Sequence, residues 1–93
     1  MKFPLARFTI EGKSMEPTLR EGESVLVFRP LKGKRGDLIV FKKNAKTMIK
    51  RIERIEGDKV YVKGDNWQES TDSQEFGALN RAQIEGKVIA RIQ

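Results

Sequence analysis

At 93 residues, 38% hydrophobic and 34% charged, the chain suffices for one domain with a small core, which makes disorder a poor default. It contains no Cys and no His. That excludes disulfides, thiolate nucleophiles and the usual imidazole base, and leaves only weak, oxygen-based metal sites, so neither a metal nor another cofactor is expected. The net charge of +6 is uneven, because residues 29–54 hold ten Lys/Arg against Asp37 and Glu53, a local +8. Such a segment suits nucleic acid, an anionic membrane surface or an acidic partner, and charge alone does not choose.

In chain order, "LARFTI" (5–10) alternates β-forming residues, and "ESVLVFR" (23–29) reads as a strand introduced by a Gly-containing turn. "RPLKGKRGD" (29–37) is punctuated by Pro and Gly as a loop, and "DLIVFKK" (37–43) is a further strand. The stretch 47–63 divides at "EGD" into two strands, 47–55 and 59–63. Residues 64–80 are polar and read as a long loop, of a length that is usually functional. "NRAQI" is expected to form one helical turn before a closing strand at 85–93.

Short strands without a long helix predict an all-β sandwich or partly open barrel of antiparallel strands, with residues 1–93 as a single β-domain. The apolar runs "VLVF" and "LIVF" fall far short of the roughly 20 residues that span a bilayer. The start lacks a continuous apolar stretch of the signal-peptide kind. The expected location is therefore cytoplasmic or peripheral to a membrane.

"GKSMEPTL" places Ser14 between a Gly-containing turn and a strand, where a nucleophile would sit. Without histidine its base must be a neutral lysine, and burial among apolar groups favours the neutral form. In the strand "TMIKRIERI", Lys50 shares a face with Met48 and Ile52, so it is the basic residue of this segment expected to be buried. The plainer readings stand beside this one. Ser14 before Pro17 serves equally as a turn or cap residue, an apolar-flanked lysine usually snorkels to water, and Gly64-Asp65-Asn66 is by default a hairpin-like turn.

Taken together, "GKSMEPTLREGESVLV", "KRGDLIVF", "MIKRIERIEGD", "GDNWQESTDSQEFG" and "IEGKVIARI" resemble, in order, the boxes of the type I signal peptidase family. A repressor-cleaving Ser/Lys relative would share the first three boxes but not the "GDN…STDS…FG" segment. The resemblance implies an antiparallel β fold and a Ser/Lys dyad endopeptidase, with Ser14 as nucleophile and Lys50 as general base. It further implies Ser70 as the hydroxyl orienting the lysine, Asp72 as the structural acid of its loop, and Met15 and Pro17 at the substrate cleft. The Ser14 N–H would serve the oxyanion hole. Gly12 occupies the position where some members place a Ser or Thr donor. Trp67 and Gln74 replace Arg residues common in the family. The compact "STDS..FG" form is similar to nickel-type superoxide dismutase maturation proteases. The implied partner is a polypeptide with a cleavable N-terminal extension, with no nucleic acid expected, a peripheral contact with an anionic membrane left open and the oligomeric state undetermined. Two competing readings are a basic β-barrel that stacks nucleic-acid bases on Phe28, Phe41, Tyr61 and Trp67, and a catalytically silent interaction module of the same fold.

Overall fold

The computed structural model describes residues 3–66, 68 and 77–92. Seven strands follow in order: β1 (Leu5–Thr9), β2 (Ser24–Phe28), β3 (Leu38–Lys43), β4 (Lys46–Glu56), β5 (Lys59–Lys63), β6 (Leu79–Asn80) and β7 (Ile84–Arg91). All pair antiparallel in one sheet of order β1-β2-β7-β3-β4-β5-β6, so the final strand lies between the second and third. Because β1 and β6 end this order without meeting, the sheet is not closed into a barrel. The all-β expectation therefore holds, as a single sheet and not a two-sheet sandwich.

The continuous apolar run of β3 has a physical reason. Successive strand residues point to opposite faces, and here both faces are covered. Ile39 and Phe41 pack with Ile52, Val60, Val62, Leu79 and Ile84, whereas Val40 packs with Ile10, Met15, Leu19, Val25 and Val27. Each such side chain contributes about 1.5–3 kcal/mol when fully buried. Register shifts at Leu26/Val27, Val40/Phe41 and Ile52/Arg54 bend the strands, which lets one sheet serve two core clusters.

One detail departs from the sequence reading. Part of the expected 64–80 loop is strand, since Leu79 and Asn80 pair with Val60 and Lys59 and Leu79 is buried. The expected helical turn is a 3₁₀ turn at Arg81–Gln83. Asn80 caps it, with its Oδ1 accepting from the Ala82 N–H and its own N–H donating to Gln83 Oε1.

Candidate active site

The turn carrying Ser14 is pinned on both sides. The Ile10 N–H donates to Glu23 O at 2.7 Å and the Gly22 N–H to Ile10 O at 2.9 Å, fixing where the chain leaves β1. Gly12 has φ +78° and donates its N–H to Glu21 Oε2 at 3.1 Å. After Ser14, Met15 and Leu19 drop into the core that includes Val25, Val27 and Val40. Half-buried Ser14 thus lies between exposed Lys13 and buried Met15. Among the described residues, the backbone bonds that hold this turn do not use the Ser14 N–H as a donor.

Lys50 comes from β4, directly opposite Ile39 of β3, with Met48 and Ile52 two residues to either side. It is 4% exposed, and with Ser24 it makes up the buried polar side chains among the described residues. Ser14 and Lys50 both line a groove of about 1160 Å³, together with Gly12 and Met15. Pro17 is exposed and does not line it. Ser70, Asp72, Trp67 and Gln74 lie outside the described residues.

The turn and the lysine strand are joined through Asp65, whose role the sequence reading missed. Its carboxylate accepts from Arg51 Nε at 2.9 Å and Arg51 Nη2 at 2.7 Å, a two-pronged contact, and from Thr18 Oγ1. Arg51 Nη1 also donates to Gly36 O at 2.8 Å. Next to it, the Asn66 N–H donates to Ser14 O at 2.8 Å and Asn66 Nδ2 to Lys13 O at 3.0 Å. The residue after Lys50 is therefore tied, through Asp65-Asn66, to the backbone of Ser14 itself. The Arg51 hydrogen bonds hold the Asp65 carboxyl below its ordinary value, with Thr18 adding to the effect and burial opposing it. Reciprocally, Asp65 raises the Arg51 guanidinium. The one sequence signal for this clamp is the Arg beside Lys50 combined with the acid of "GDN", and their pairing becomes visible only once β4 and β5 are set side by side.

The basic segment disperses. Arg29 faces Glu85, Arg51 faces Asp65, Arg54 faces Glu56 and lies over the Tyr61 ring, and Lys32 donates to Ile84 O. Among the described residues, no three Asp or Glu gather as a metal site, and no helix is long and apolar enough to cross a membrane.

Curated relatives resemble this chain in sequence. Signal peptidase I U of Bacillus subtilis (strain 168) is 41% identical over 64 residues, covering 62% of this chain and 34% of the relative. Signal peptidase IB of Staphylococcus aureus (strain Mu50 / ATCC 700699) is 34% identical over 84 residues, covering 85% of this chain and 44% of the relative. The chain thus spans less than half the length of these relatives. The family model described as Peptidase S24-like matches residues 3–89, nearly the whole chain, and the chain belongs to that type I signal peptidase-like family.

Proposed function

We propose that residues 1–93 form the catalytic β-domain of a serine endopeptidase that removes an N-terminal leader or extension from a protein substrate, with Ser14 as nucleophile and Lys50 as general base. The observation that carries this reading is the shared groove, in which a half-buried serine and a buried lysine are the residues suited to nucleophile and base. The relatives' names supply the leader-removing part of the proposal.

The groove also suits an extended polypeptide. Among the described residues, β1 pairs only with β2, and β4 pairs with β5 only from Arg51 onward, so Arg7–Thr9 and Lys46–Lys50 both present open strand edges to it. A substrate can add to such an edge through main-chain hydrogen bonds. The Lys50 amine takes the proton of Ser14 Oγ as that oxygen attacks the scissile carbonyl, and the Ser14 N–H receives the developing oxyanion. Collapse breaks the C–N bond, with Lys50 giving the proton to the leaving amine. Water then attacks the acyl-enzyme, Lys50 takes its proton and returns it to Ser14 as the ester breaks. The mechanism needs a neutral amine, and removal from water favours that form. In this reading Ser70 orients Lys50 and Asp72 supports its loop. The narrower assignment, maturation of a nickel-type superoxide dismutase precursor, rests on the "STDS..FG" segment of the sequence.

The test is hydrolysis of a leader-bearing precursor by the wild type and by Ser14→Ala and Lys50→Met variants whose folding is checked by circular dichroism and thermal unfolding. Each variant is expected to lose about 10³-fold or more in kcat/KM. Cleavage retained at the wild-type rate in either would remove the dyad.

A further inference from the structure

We infer that the substrate segment entering this groove is acidic, carrying a carboxylate about four residues from the scissile bond, where Arg7 and Lys46 receive it. The inference rests on the peptidase reading for the identity of the groove and goes beyond it by naming the charge of the ligand.

Four charged side chains besides Lys50 line the groove: Arg7, Lys13 and Lys46, all exposed cations, and the exposed acid Glu11. Outside the groove, Arg29, Arg51, Arg54, Lys87 and Arg91 each meet a carboxylate. Among the described residues no ion pair joins Arg7, Lys13 or Lys46 to a carboxylate. The groove lining thus carries three exposed cations against one acid, besides the apolar Phe8, Ile10 and Met48, and this net positive charge attracts an acidic segment.

The β3–β4 hairpin that delivers Lys46 is built against local preference. Its two turn residues, Asn44 and Ala45, have φ +53° and +65°, and a Gly at the second position would relieve the left-handed cost. Lys43 stands directly opposite Lys46 in the register, so two lysines flank the turn. A tip that holds Ala45 at positive φ and lines the groove with Ala45 and Lys46 fits a binding role better than a structural one. Lys46 lies four residues from Lys50, about 13 Å along an extended strand at roughly 3.3 Å per residue. A peptide in register along this edge, with its reacting carbonyl at Ser14, presents its fourth residue from that bond to Lys46.

The experiment separates charge preference from chemistry by using the Ser14→Ala protein. Fluorescein-labelled dodecapeptides with an Ala-Ala centre and Asp, Asn or Lys four residues to either side are titrated at low and high NaCl. The Asp peptide is expected to bind roughly fivefold to tenfold tighter than the Asn peptide, with Lys weakest and the gap closing in salt. Arg7→Glu with Lys46→Glu should invert the order, whereas Lys34→Glu with Lys59→Glu, the same charge change outside the groove, should leave it. Equal binding of the three peptides, an order unmoved by the groove reversals, or equal loss in both double variants overturns the proposal. So does charge-selective binding confined to phosphatidylserine vesicles, which would make the rim a membrane contact. Failure of the wild type to hydrolyse any peptide would remove the dyad reading while leaving this binding order intact, and the converse pattern would remove only the acidic preference.

Discussion

Under the proposed mechanism, Gly12 bears on the oxyanion donors available to Ser14 two positions later. Its φ of +78° belongs to the left-handed region, although open space surrounds the place a Cβ would take. A Ser there could point a hydroxyl at the oxyanion only by holding a backbone that costs a non-glycine residue about 1–2 kcal/mol. Gly12→Ser is therefore expected to lower stability by about 1 kcal/mol without raising kcat/KM. Urea unfolding and peptide hydrolysis check the two halves, and a faster enzyme of unchanged stability would mean that the turn relaxes to supply the missing donor. The family resemblance implied a cleft role for Met15; it lines the groove shared by Ser14 and Lys50, and at 2% exposure it also belongs to the core cluster with Val25 and Val27. The sequence motif could not reveal the second role, because the strands it packs on lie ten or more residues away. Met15→Ala should cost about 2–5 kcal/mol and reduce turnover as Ser14 loses its anchor, measured by thermal unfolding alongside kcat.

At the scale of elements, strand positions were readable wherever apolar runs stood between turns, and unreadable where pairing alone makes the strand, as at Leu79–Asn80. The clamp joining the Ser14 turn to β4 belongs to this level. Asp65→Asn keeps the shape but removes the charge that binds Arg51, and should destabilise by about 1–2 kcal/mol, since both partners remain partly open to water. The Asp65 carboxyl titrates below its ordinary 3.8 when folded. Its contribution is therefore complete above that value and is lost as pH falls through the lowered folded one. Urea midpoints of wild type and Asp65→Asn should differ at about pH 7 and converge in strong acid. A gap that persists unchanged in acid would assign the loss to packing. Gly86 marks a second such dependence, because a Cβ there would lie 2.7 Å from Phe28 O and 2.7 Å from Val27 Cγ1. Nothing in "IEGKVIARI" announces that approach, since it arises from β7 running against β2.

Across the whole molecule, the +6 charge was plain in the composition, whereas its disposition was not. Of the ten cations in this block, Arg29, Arg51 and Arg54 each meet a different acid in the fold, and Lys50 is buried. Two of the aromatic residues offered as stacking platforms, Phe41 and Tyr61, are taken up by the fold. Phe41 is 0% exposed in the core, and Arg54 covers the Tyr61 ring at 3.7 Å from its centroid. Base stacking needs an open aromatic face beside a continuous basic track. Binding to an oligothymidylate is therefore expected to stay in the non-specific range of roughly 10⁻⁴ to 10⁻⁶ M and to fall with salt. Reversing Lys34 or Lys59 should weaken it as much as reversing Lys46, because a diffuse field has no preferred cation. Fluorescence anisotropy with the same variants used for the acidic peptides makes the comparison direct. A saturable oligonucleotide complex far tighter than this range, lost in Tyr61→Ala and indifferent to Lys46, would place the ligand on the β4–β5 face and not in the groove. If instead the peptides separate Lys46 from Lys34 and the oligonucleotide does not, the groove is selective for an acidic chain because its cations are fixed in place, and not merely because the protein is basic.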